Sequence, residues 1–221
     1  MEYSLAHLKI EQELYRTANQ PINYNTRRRM KALKASLLAF SPIDEEALED
    51  IVSKFKEEHF KKKVVVERSG NTYKKLYFIE KGLARLYYSR EGKDITGWFS
   101  KEGDFITAND SFFQKKPSLL NLEFIEDSIV YSITVEEIER LFDKYHQFER
   151  FGRILTYQLL GDLSEKMYSI LFQSAEKRYQ LLMTHDPEIV VRAPLGDIAT
   201  FLGISQETLS RIRGQMAGKK H

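Results

Sequence analysis

The chain of 221 residues contains no cysteine. This excludes disulfides, thiol nucleophiles and cysteine-ligated iron–sulfur clusters, and it fits a reducing compartment. A dominant charge sign is missing too: 34 lysines and arginines stand against 32 acids, a formal charge of +2. Any contact with nucleic acid must therefore come from local patches and not from the field of the whole molecule. No apolar run is long enough to span a bilayer, and the polar N-terminus lacks a signal-type apolar core. The expectation is a cytoplasmic protein without membrane contact. There is no Gly-rich phosphate loop and no nucleophile with an evident base, and His7, His59, His146 and His185 are scattered without paired spacing. Neither an enzyme nor a bound metal or cofactor is expected.

What is present falls into blocks. Leu5, Leu8 and Leu14 hint at a short helix closed by Gln20-Pro21. A basic run follows (Arg27, Arg28, Arg29, Lys31, Lys34), either a solvated helix face or a contact for an acidic surface. Met30, Leu33, Leu37 and Leu38 predict a helix over roughly 28–39. Ser41-Pro42 reads as the start of the next helix, with Ser41 as cap and Pro42 in the first position. Ile51, Val52 and Phe55 give that helix its buried side.

From Val64 the texture changes to short runs rich in β-branched and aromatic residues: 64–67, 76–80, 83–88, 95–99, 120–126 and 129–134. Turn residues such as Ser69-Gly70-Asn71, Lys81-Gly82 and Glu102-Gly103-Asp104 separate them. This spacing predicts a sandwich or barrel-like roll. Trp98, Phe99, Phe112 and Phe113 are candidates for its core or for a pocket lining.

After Thr134 helices return. A short one is predicted over Val135–Lys144, then a long one from Gln147 to about Phe172, with Phe151, Leu155, Leu159, Leu163, Met167 and Ile170 as a continuous seam. At ~1.5 Å rise per residue this helix is longer than the roll needs. The expectation is that it pairs with its copy in a homodimer. Ser174 starts a further helix that His185-Asp186-Pro187 ends, and Ile189-Val190-Val191 reads as a short strand.

The segment Pro194–Gln215, PLGDIATFLGISQETLSRIRGQ, reads as a helix-turn-helix. Leu195, Ile198, Ala199 and Leu202 recur at helical spacing, and Gly203 supplies a turn with positive φ. Ser205 can cap a second helix whose Leu209 and Ile212 face inward. Gln206, Glu207, Ser210, Arg211 and Arg213 are then left on its outer faces.

Taken together, LYFIEKGLARLYY (76–88), EGDF (102–105), SAEKRYQLL (174–182) and LGDIATFLGISQETLSRI (195–212) resemble the Crp/Fnr family of bacterial transcription regulators. The resemblance spans roughly Ser41 to Arg213. It implies an α+β chain: N-terminal helices and an antiparallel β-roll of the cyclic-nucleotide-binding type, a long dimerisation helix, and a C-terminal winged helix-turn-helix. The domains expected are an extension at 1–28, a sensor roll at 29–146, the dimerisation helix at 147–173 and the DNA-binding domain at 174–221. The family's base-reading Glu and Arg match Glu207 and Arg211, which share one helix face at i and i+4. Glu can accept from cytosine N4, and Arg can pair with guanine O6 and N7. Ser210 resembles the branch named after the fumarate–nitrate regulator. Thr208, Arg213, Lys219 and Lys220 are assigned to phosphates, and Gln206 to a base or a phosphate.

The sensor half departs from the family pattern. Nucleotide-binding members carry Gly-Glu and, some ten residues on, Arg-Ser or Arg-Ala. Here the segment from Gly103 reads GDFITANDSFFQKKPSLLNLEF, with no Arg. Ser118-Leu119-Leu120 stand near where Arg-Ser would fall, and Lys115 and Lys116 lack the planar fork that suits a phosphate. Gly103, Asp104, Phe105 and Ser164 remain candidate pocket residues for an effector of unknown identity, and conventional cyclic AMP binding is not expected. The leading reading is a homodimeric regulator that binds a near-palindrome in double-stranded DNA and contacts RNA polymerase. The alternative is a small-molecule-binding module whose helix-turn-helix serves as a protein-contact surface.

Overall fold

The computed structural model describes residues 30–218. The expected helix near the N-terminus, the arginines at 27–29, Lys219 and Lys220 lie outside these residues. Helix α1 (Lys31–Phe40) buries Leu33 and Leu37. It ends on Ser41, which is its C-cap and fully enclosed, and not the start of the next helix. Helix α2 (Glu45–Ser53) starts three residues later because Asp44 is the better cap: its carboxylate accepts from the Ala47 amide at 2.9 Å. Glu45 and Glu46 then sit at the positive end of the helix dipole.

Eight strands follow: β1 (Lys56–Phe60), β2 (Val64–Glu67), β3 (Lys75–Lys81), β4 (Ala84–Arg90), β5 (Lys93–Ser100), β6 (Phe105–Ile106), β7 (Asn121–Phe124) and β8 (Ser128–Thr134). They form two antiparallel four-stranded sheets, ordered β1-β8-β3-β6 and β2-β7-β4-β5. Between them Tyr73, Tyr77, Ile79, Leu86, Leu122, Phe124 and Val130 make one core. Phe60 stacks on Phe124 with ring centroids 4.9 Å apart, and Tyr77 meets both rings edge-on. The inside of the roll is filled by the chain's own aromatics. Trp98 is half-buried beside this core, while Phe113 is exposed. The short helix α3 (Asn109–Phe112) bridges β6 and β7.

Helix α4 (Val135–Lys144) begins where expected, with the Thr134 hydroxyl accepting from the Glu137 amide. Helix α5 (His146–Phe172) is a single run of 27 residues, about 40 Å long. Its first turns pack on α1 and the roll: Phe148 and Phe151 are buried with Leu33, Leu37, Phe78 and Ile133. Beyond Leu155 the apolar seam is bare. Leu160 is 63% exposed and Phe172 78%, and Leu163, Met167, Ile170 and Leu171 are also exposed.

The C-terminal helices are α6 (Ala175–His185), α7 (Pro187–Arg192), α8 (Leu195–Phe201) and α9 (Gln206–Gly218). The strand expected at Ile189–Val191 is instead helix α7. Pro187 opens it at the first position, and Ile189 faces the core while Val191 points to solvent. A wing was also implied, but from 174 to 218 the regular elements are helices only.

Candidate nucleic-acid interface

Two buried apolar positions orient α9. Leu209 is fully enclosed and Ile212 nearly so, packed with Tyr179, Leu182, Ile198, Ala199 and Leu202. The turn into α9 uses Gly203 at φ 68°, a left-handed conformation that a β-carbon would strain. The Ile204 amide donates back to the Ala199 carbonyl at 3.0 Å, closing the turn. Arg178 of α6 braces it from behind: Nε donates to the Leu202 carbonyl at 2.9 Å and Nη1 to the Gln173 carbonyl at 2.6 Å. Ser205 caps α9, its hydroxyl accepting from the Thr208 amide at 3.2 Å.

With Leu209 and Ile212 turned inward, Gln206, Glu207, Ser210 and Arg211 all stand exposed at the start of α9. Gln206 lies directly against Gly196, where any β-carbon would collide with its amide. Hydrogen bonds from Ser205 and from its own backbone amide, with Lys93 beyond them, hold the Glu207 carboxyl below its ordinary value. It stays an acceptor at neutral pH. Thr208 is half-buried and tied to the cap through Ser205. Arg213, assigned to a phosphate from sequence, takes a different place. It sits over the Tyr179 ring at 5.5 Å and donates to the Val190 carbonyl at 3.4 Å, so it packs the domain from within.

Each pocket candidate is engaged within the protein. Gly103 makes the turn between β5 and β6, its amide donating to the Ile79 carbonyl at 2.9 Å. Phe105 is packed between Phe78 and Phe151. Burial pushes Asp104 up to about 7, although its carboxylate accepts from the Lys101 amide. Ser164 donates to the Leu160 carbonyl within its own helix at 2.8 Å. In the segment where the family's Arg-Ser is expected, Ser118 donates to Asp110 at 2.9 Å and the Leu119 amide to the same carboxylate at 3.2 Å. No group of three or more His, Asp or Glu among the described residues is placed to hold a metal ion.

Sequence reasoning missed how α8 is seated on the roll. Arg85 of β4 reaches Asp197 at 2.5 Å and Glu123 at 2.7 Å, and the Thr96 amide donates to Thr200 Oγ1 at 3.1 Å. Phe99 packs against Phe201 with tilted rings, centroids 5.2 Å apart. Below them Arg192 of α7 forks onto Glu102 and Glu126 at 2.7–3.2 Å. Pairs separated by 38 to 112 residues leave no local signal. The nearest hint is Asp197, the one charged residue on a mostly apolar helix.

Comparison with known proteins agrees with this architecture. Residues 57–145 match the family model described as the cyclic nucleotide-binding domain, so the roll is a domain of that class. Solved structures share the fold over three quarters or more of the chain. FixK2 from Bradyrhizobium japonicum superposes with a TM-score of 0.66 at 20% identity, over 75% of this chain and 86% of its own. A CooA mutant from Carboxydothermus hydrogenoformans gives 0.62 at 17% identity, over 77% and 79%. A protein described as a transcriptional regulator of the Crp/Fnr family from Eubacterium rectale gives 0.63 at 17% identity, over 80% and 85%. No curated protein matches the chain. None of the described helices is long and apolar enough to cross a membrane.

Proposed function

We infer that the chain is a homodimeric DNA-binding transcription regulator of the Crp/Fnr type, and not an enzyme. The observation that carries this is the start of α9. Four polar side chains able to read or grip DNA (Gln206, Glu207, Ser210 and Arg211) are presented together on a helix whose other face is locked by Leu209 and Ile212. Glu207 and Arg211 are the base readers, with Thr208 near the backbone. The bare seam of α5 supports the dimer, because a patch of this size on a monomer is unusual. Two copies joined along α5 would set two recognition helices into successive major grooves, ~34–36 Å apart.

Conventional cyclic AMP binding is not part of the reading. The segment has no Arg, Asp110 occupies the hydroxyl and amide of Ser118 and Leu119, and aromatics fill the roll. On this reading 30–146 is a scaffold roll, 147–173 the dimer helix and 174–218 the reading head, working in the cytoplasm. RNA polymerase is the partner that a regulator of this kind would address.

Selection from random duplex DNA at fixed moderate salt tests the proposal, with a Glu207→Ala/Arg211→Ala double variant alongside. The expected result is enrichment of a two-fold repeat by the wild type and loss of that repeat in the variant. The same repeat from both proteins would show that α9 does not read the site.

A further inference from the structure

We propose that Lys93, at the tip of the β4–β5 hairpin, is a second DNA contact that seats on the phosphate backbone beside the groove entered by α9. The inference rests on the DNA-binding reading above and adds to it a residue of the roll. Its basis is the way α8 lies on β5. Asp197 is held by Arg85, and Thr200 and Phe201 are held by Thr96 and Phe99. This fixes the first turn of α8 against the hairpin. The same Arg85 guanidinium reaches Asp94 at 3.5 Å, and Asp94 adjoins Lys93. On the far side Gln206 packs on Gly196, the neighbour of Asp197. A short run of contacts thus leads from the hairpin tip to the start of α9. A favourable charge interaction of Lys93 with the Glu207 carboxyl fits this placement.

The charges at the tip single out Lys93. Asp94 is engaged by Arg85 and by the Ser89 hydroxyl at 2.7 Å. Glu91 lies 3.5 Å from Arg90, and both are well exposed. Lys93 pairs with Arg90 across the hairpin register, is exposed, and forms no ion pair among the described residues. One cation without an ion pair among the described residues therefore stands at the tip, on the side of α9 that carries Glu207. A lysine is a compact point charge on a flexible stem, suited to a phosphate and unsuited to reading a base. Its effect falls on affinity and salt dependence, and sequence preference stays with Glu207 and Arg211.

The test uses the full chain and the duplex found by selection. One phosphate contact per protomer, two per dimer, makes the plot of log affinity against log salt steeper by about 2. Lys93→Ala flattens it by that amount, lowers affinity at 0.1 M salt by about 60-fold, and leaves the selected sequence unchanged. Because the chain has no cysteine, Lys93→Cys carries a single tethered iron chelate. That probe cuts the backbone at the flank of each half-site. A salt slope in Lys93→Ala equal to that of the wild type, or cutting spread evenly along the duplex, overturns the contact while leaving α9 as the reader. A wild-type chain without affinity for any duplex overturns the DNA-binding reading, and this inference with it.

Discussion

Replacing Arg85 with Met is the most informative single change at the junction of the roll and the C-terminal helices. The side chain is 8% exposed and serves Glu123 (11% exposed), Asp197 (18%) and the outer Asp94 (45%). Its guanidinium also lies 4.3 Å from the Tyr87 ring centre. Met fills much of the volume but leaves two enclosed carboxylates without a cation. Removing one partner from a buried pair costs about 3–5 kcal/mol. Asp197→Asn should behave differently. Burial already holds the Asp197 carboxyl above its ordinary value despite Arg85, and the repulsion of Glu123 and Asp94 pushes it the same way. Asn keeps an acceptor for the guanidinium and removes that charge, so its cost is about 1 kcal/mol, one ordinary hydrogen bond. Urea unfolding at fixed protein concentration reads both variants. The single tryptophan, Trp98, lies near this junction, 5.7 Å from the Lys166 ammonium, and reports on it directly. Arg85→Met within about 1 kcal/mol of the wild type, or equal to Asp197→Asn, would refute the claim that Arg85 neutralises enclosed acids.

Two further outcomes are expected. Lys166 sits 3.3 Å from the Phe201 ring centre without a hydrogen-bond partner among the described residues, and burial brings its amine down to about 7. The unfolded chain then binds more protons between pH 7 and 10.5, so wild-type stability should rise with pH across that window. Lys166→Met should lose this rise and unfold at higher urea at pH 7. An unchanged slope in pH-resolved unfolding would count against the enclosed amine. On α5, Leu163→Glu with Met167→Glu should leave the monomer fold intact and shift sedimentation from dimer to monomer, since both side chains are exposed in the single chain. A dimer that persists would move the interface elsewhere.

Elements with a one-sided pattern were legible from sequence. Helix α4 has the bounds predicted for it, Val135–Lys144, and the helix-turn-helix boundaries follow from Gly203 and Ser205. Strand β1 was invisible because Lys56-Glu57-Glu58-His59 is polar on both faces. It is an edge strand held by its ladder with β8, and only Phe60 turns to the core. Ile189–Val191 misled because three β-branched residues in a row favour a strand in isolation. Tertiary burial of Ile189 and the proline at the helix start decide otherwise. At the candidate site the outward residues of α9 were readable from its period. The inward fold of Arg213 and the forks of Arg85 and Arg192 depend on partners distant in the chain, and no local spacing encodes them.

The hydrophobic cluster under the reading head crosses the line at which the chain divides. Leu83, Phe99 and Ile125 of the roll belong to the same buried group as Tyr179, Ile198, Leu202 and Leu209. Modularity in sequence therefore stops short of modularity in folding. Grafting 174–218 onto a different sensor would carry most of that core away from Leu83, Phe99 and Ile125, so a working chimera has to carry the roll face that presents these three residues along with helices α6–α9.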